Sequence, residues 1–155
     1  LVVDADTALS APGALRAEEL ARVLGDVDVV QGVDAIFSSA LRVDQETVAP
    51  LARRLNLPVQ DFDPLDNRSL RKRILRKYKG KVVLVVADPP FIQKVVARLQ
   101  GSKKIPPMAD GEYDNIYIVS IPWYGKVKTL RLHYGARPES LNGFEQSSPS
   151  AVSGG

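Results

Sequence analysis

Lys81-Val82-Val83-Leu84-Val85-Val86-Ala87 is apolar at both alternating sets of positions after its first residue. That pattern reads as a strand buried on both faces, as in a parallel sheet covered by helices. Asp88-Pro89-Pro90 follows it, and then Phe91, Val95, Val96 and Leu99 at helical spacing. A proline in the first turn suits a helix start, because that N–H has no intrahelical partner. Upstream, Pro64, Asp66 and Asn67 open a helix expected to run to about Tyr78. Leu57 to Phe62 reads as a short strand. Leu41 to Leu55 reads as a helix with Val48, Leu51 and Leu55 inward, which Pro50 either bends or starts. Val33 to Phe37 is a strand ending at Ser38-Ser39. Leu9-Ser10-Ala11-Pro12-Gly13 is a turn and helix start. From it, Ala14 to Leu24 reads as an amphipathic helix with Leu15, Leu20, Val23 and Leu24 on one face, ended by Gly25.

Leu1-Val2-Val3-Asp4-Ala5-Asp6-Thr7 reads as a central strand delivering carboxylates to its C-terminal edge. Downstream, Gly101 to Gly111 is a loop. Ile116 to Ile121 and Lys126 to Leu132 alternate around Pro122-Trp123-Tyr124-Gly125, a hairpin signal. The alternation predicts an α/β fold: a three-layer α/β/α sandwich with a mostly parallel mixed sheet and a C-terminal antiparallel hairpin. Residues 1–134 are expected to form one domain. Residues 135–155, rich in Ser, Pro and Gly and without periodicity, read as a loosely ordered tail.

Composition bounds the partners. The 155 residues are 45% hydrophobic and 25% charged, with a formal net charge of +3, ordinary for a globular domain. No apolar run approaches the ~20 residues of a membrane span. No basic segment precedes the first apolar run, so a signal peptide is not expected and the cytoplasm is the expected compartment. With no cysteine, disulfides, thiolate chemistry and Cys-ligated zinc are excluded. The basic run Arg68, Arg71, Lys72, Arg73, Arg76, Lys77 and Lys79 interleaves with Ile74, Leu75 and Tyr78. It reads as the solvated face of a helix rather than a nucleic-acid site. Trp123 and Tyr124 read as turn residues.

In an open α/β sheet, ligands bind at the C-terminal strand edge. Three loops leave that edge with Asp4 and Asp6, then Ser38, Ser39 and Asp44, then Asp88. Four converging carboxylates raise one another's pKa unless a divalent cation, Arg42 or a lysine joins them. The alternative is that Asp44 and Asp88 simply cap or begin helices.

Several segments together resemble the histidine phosphatase (phosphoglycerate-mutase-like) superfamily, near its small phosphohistidine-phosphatase branch, over Leu1 to Tyr134. They are Leu9-Ser10-Ala11-Pro12-Gly13 with Arg16-Ala17-Glu18, Asp34 to Arg42 with Gln45-Glu46-Thr47, Val83 to Val86 with Phe91-Ile92, and Glu112-Tyr113-Asp114 before Ile116 to Val119. The resemblance implies a phosphate-binding arginine at Val3, the phosphorylated histidine at Asp4, a second phosphate-binding arginine at Val43 and a second histidine at Asp88. All four are substituted here, and the family's Gly-His-Ser reads Ala87-Asp88-Pro89. His133, the lone histidine, sits late in the last strand and reads as an edge residue. Signatures retained in the scaffold, with anomalies confined to three strand ends, imply a redesigned or degenerate active site. The family's phosphatase activity is expected to be absent. The expected pocket of Asp4, Asp6, Ser10, Ser39, Arg42, Asp44, Ala87, Asp88 and Pro89 is acidic. It would take a metal ion or small molecule, with no cofactor required and a divalent cation on Asp4, Asp6, Asp44 and Asp88 as one option. A designed enzyme with an Asp general base is a further reading.

Asp4-Ala5-Asp6 also resembles the haloacid-dehalogenase-like Asp-x-Asp motif. That implies a magnesium-dependent phosphatase with Asp4 as nucleophile and Asp6 as acid/base. Ala8 departs from that family's preferred threonine. The short Thr7 to Leu9 loop and the abrupt start at Leu1 are expected to reflect missing residues.

Overall fold

The computed structural model describes residues 6–25, 32–100, 108 and 112–135. Its centre is β1 (Ala35–Ser38), whose four residues are all buried. β2 (Val59–Asp61) and β3 (Val83–Val86) flank it in parallel, giving the order β2-β1-β3. Parallel neighbours need long crossovers, and helices supply them. α2 (Arg42–Leu55) links β1 to β2, and α3 (Asn67–Lys77) links β2 to β3. α1 (Ala11–Gly25) precedes β1, and α4 (Pro89–Gln100) follows β3. The hairpin β4 (Asn115–Ser120) and β5 (Lys128–His133) pairs antiparallel as a two-stranded sheet of its own among the described residues.

Strand alternation sorts the core into two halves. Ile36, with Leu84 and Val86 beside it, packs against Ala21 of α1 and Val48, Leu51 and Ala52 of α2. Ala35 and Phe37, with Val83 and Val85, pack against Leu70 of α3 and Phe91 and Val95 of α4. Helices thus cover both faces of a parallel sheet, the expected α/β layering, but the strand enclosed on both faces is β1, while β3 at the edge of the described sheet is half-buried. Residues 1–5 and 136–155, which hold the anticipated first strand and nearly all of the tail, lie outside the described residues.

Local chemistry explains the helix ends. Ser10 caps α1: its Oγ accepts from Gly13 N at 3.2 Å, and its carbonyl accepts from Ala14 N at 2.9 Å. A Cβ at Gly13 would stand 2.9 Å from Leu9 Cδ2, so glycine fits where the chain folds back onto Leu9. Asp66 caps α3 by accepting from Ser69 N at 3.0 Å. α2 ends at Asn56 in the left-handed region, φ 52°, a conformation asparagine tolerates.

Two expectations change. Pro50 lies inside α2, so it does not mark that helix's start. Leu15 is 73% exposed. The buried face of α1 is Gly13, Ala17, Leu20 and Ala21, and at 100° per residue Leu15 points away from it. Small residues at Ala17 and Ala21 let α1 lie close to α2, so large apolar residues alone mislocate the inner face.

Candidate functional site

β1 and β3 run side by side and end together. Ser38 is in register with Val86, and Ser39 N donates to Val86 O at 3.3 Å. Ser39 and Ala87-Asp88 therefore leave the sheet at one edge. The turn after Ser39 returns at once as α2, whose first turn carries Asp44. Ser39 Oγ donates to Asp44 Oδ2 at 2.5 Å and accepts from Leu41 N at 3.1 Å. Ser38 and Ser39 are fully enclosed, and Asp44 is only 8% exposed. A short O–H···O⁻ bond of this kind is among the stronger neutral-to-ion contacts.

Burial pushes the Asp44 carboxyl above its ordinary range. The Ser39 hydroxyl opposes that shift, and the charge of Asp88 adds to it. Asp44 and Asp88 thus face the same edge closely enough to repel. Asp88 is exposed and stands just before α4, with its carbonyl accepting from Phe91 N and Ile92 N at 3.1 Å each. Both helix-terminal placements anticipated for these acids are present, and so is their proximity.

Other anticipated members of the pocket are placed differently. Val3 and Asp4 lie outside the described residues. Asp6 is exposed in a turn. Among the described residues no group of three or more His, Asp or Glu side chains is arranged to hold a metal ion. Ser10 is occupied in capping α1. Arg42 does not neutralise Asp44. It pairs with Glu46 one turn along α2, Nε to Oε1 at 2.7 Å, as i,i+4 neighbours on a helix surface do. Val43 is half-buried and its carbonyl accepts from Thr47 Oγ1 at 2.7 Å. Ala87 and Pro89 are half-buried beside the cluster. His133 meets Asp114 across 3.2 Å at the open end of the hairpin, an edge position as anticipated.

Glu46 does more than its place in a motif suggested. Its second oxygen accepts from Leu9 N at 2.7 Å, which ties the entry of α1 to α2. That backbone bond, then Arg42, holds its carboxyl below the ordinary range. A groove of about 580 Å³ opens beside it between α1 and α2, lined by Leu9, Ala14, Leu15, Ala49, Pro50 and Arg53 among others. None of the strand-end residues lines that groove.

The raised Asp44 pKa sets a stability test. The folded chain holds this proton more tightly than the unfolded chain. As pH rises past the ordinary carboxylate pKa of about 4, the unfolded state ionises first and stability falls, until Asp44 itself has ionised. Asp44→Asn keeps an acceptor for Ser39 and removes the charge. It should melt above the parent at pH 7 and level with it near pH 3. For a domain of this size each kcal/mol corresponds to roughly 2–4 °C. A deficit at pH 7 that grows with pH would reverse the assignment.

The arrangement is that of the histidine phosphatase fold, and solved structures of that class align with the chain. Mycobacterial glucosyl-3-phosphoglycerate phosphatase in complex with inorganic phosphate superposes with a TM-score of 0.64 at 17% identity, covering 84% of this chain and 88% of that one. The protein histidine phosphatase SixA complexed with tungstate gives 0.62 at 18%, covering 86% and 88%. Mycobacterial hydrolase 2 gives 0.62 at 14%, covering 88% and 84%. No protein-family model and no curated protein matches the sequence. Among the described residues, no helix is long and apolar enough to cross a membrane.

Proposed function

We propose that this chain is a histidine-phosphatase-like protein of the small phosphohistidine-phosphatase type that does not run the phosphohistidine reaction. Its strand-end site serves instead as an acidic pocket for a cation or a cationic small molecule. The observation that carries this reading is the Ser39–Asp44 pair with Asp88 beside it. Asp44 follows Val43, the position where the resemblance expects a phosphate-gripping arginine, and Asp88 stands where it expects a histidine. A carboxylate in such a place repels a phosphate dianion instead of clamping it. Without a nucleophilic imidazole the covalent step has no acceptor.

Calorimetric titration with phosphate and with tungstate should give no heat of binding at millimolar concentration. Thermal melting should be raised by a divalent cation or an alkylamine, and less so in Asp44→Asn. Tight oxyanion binding, or p-nitrophenyl phosphate turnover without metal, would overturn the proposal. Magnesium-dependent turnover lost in Asp4→Asn would favour the aspartate-nucleophile reading. The general-base reading rests on Asp44, whose burial raises its affinity for a proton.

A further inference from the structure

Outside the strand-end site, α3 and the hairpin tip form a second feature. From Asn67 to Ala87 the chain has eight Lys or Arg residues and no acid. On α3, Leu70 is buried and Ile74 is half-buried. Arg68, Arg71, Lys72 and Arg76 fall on the opposite side, all exposed, along about 12 Å of helix. Asp66, beside the stripe's first residue, accepts from Ser69 N, and the charge of Arg68 also helps to hold its carboxyl below the ordinary range. No acidic side chain pairs with Arg71, Lys72 or Arg76 among the described residues. Taken alone, that is a solvated helix face.

The hairpin tip changes its meaning. Trp123 is 95% and Tyr124 93% exposed. Two adjoining bare aromatic rings are unusual on a soluble surface, where such rings normally bury most of their area. Lys79, just beyond α3, holds its Nζ 5.6 Å from the Trp123 ring centroid. The basic helix and the aromatic tip therefore adjoin. Guanidinium groups match phosphate oxygens in pairs, and exposed ring faces stack on unpaired bases.

We infer that the α3 stripe with Lys79, Trp123 and Tyr124 is a binding surface for single-stranded nucleic acid. The stripe takes the phosphates, and the tip rings take one or two bases. A membrane surface suits it less, because the outer face of α3 offers only the half-buried Leu75 among its basic residues to insert.

Trp123 is the sole tryptophan, so its fluorescence reports on the tip directly. In about 50 mM salt a thymidine oligonucleotide should quench that emission, and affinity should fall steeply with salt. Arg71→Ala, Lys72→Ala and Arg76→Ala together should lower the slope of log K against log salt by about 2, at roughly 0.7 per phosphate contact. Trp123→Ala, followed by anisotropy of a labelled oligonucleotide, should weaken binding roughly 5- to 150-fold and leave the slope unchanged. All four residues are exposed, so the variants should melt with the parent. Three results would overturn the inference: no oligonucleotide binding, heparin binding as tight with Trp123→Ala without effect, or a shifted Trp123 emission on phosphatidylserine vesicles only.

Discussion

The variant carrying Val3→Arg, Asp4→His, Val43→Arg and Asp88→His together should hydrolyse p-nitrophenyl phosphate, and the parent should not. The four changes return a nucleophile, two phosphate-binding guanidiniums and a second imidazole to the positions the resemblance assigns to them. Val43 opens α2 at the edge where Asp44 and Asp88 meet, so two of the four restored groups enter one small region. Single restorations should stay inert, because the members of such a set act as a unit. Even a loosely assembled set should raise the rate about 10³-fold over background, well short of the 10⁶ typical of enzymes. Adding Asp44→Ala should raise it further, since a negative charge at that edge would otherwise repel the phosphate dianion. Ala87→Gly and Pro89→Ser complete the third signature. A folded protein with all of these changes and no turnover would show that the residues had been matched to the wrong positions.

That experiment tests positions assigned from the sequence. Lys81 to Ala87 was legible as a strand because its apolar run leaves no polar alternation to mistake, although β3 is only half-buried and Val82 is 41% exposed. Leu9-Ser10-Ala11-Pro12-Gly13 was legible because its signal is local. Ser10 accepts from Gly13 N only three residues away, and a Cβ at Gly13 would press on the Leu9 side chain. That Asp44 and Asp88 leave one edge was expected from the strand–helix alternation and the rule that loops at the C-terminal strand ends line the site. Their partners did not. Arg42 stands two residues from Asp44, yet a helix places residues two apart on different sides, and its partner is Glu46. The Ser39–Asp44 bond spans five residues across a strand end and a helix start, which neither a period of 2 nor one of 3.6 encodes. Leu15 misled for a related reason. Periodicity weighs side-chain size, while the α1–α2 contact is made where side chains are small.

Phe37→Ala should be the most damaging single change to the fold, at about 3–5 kcal/mol. Against a usual domain stability of about 5–15 kcal/mol, that approaches the point of unfolding. Phe37 is wholly buried on β1, which is paired on both sides. Its ring meets Tyr78 edge-on, with centroids 5.7 Å apart at 89°. The Arg73 guanidinium lies 4.8 Å from its centroid. Arg73 and Tyr78 are in turn joined through Gln60: Arg73 Nη2 donates to Gln60 Oε1 at 2.6 Å, and the Tyr78 hydroxyl lies 3.2 Å from the same oxygen. Removing the ring leaves a cavity among β1, α3 and α4, and loosens a polar group that ring helps to seat. Phe37→Leu keeps much of the volume and should cost about 1.5 kcal/mol or less. Leu15→Ala, in spite of its place in an amphipathic pattern, should stay within about 0.5 kcal/mol of the parent. Urea midpoints of the three variants measure these differences. If Leu15→Ala cost as much as Phe37→Ala, the inner face of α1 would be the one that periodicity indicated, and the packing of α1 on α2 would have to be redrawn.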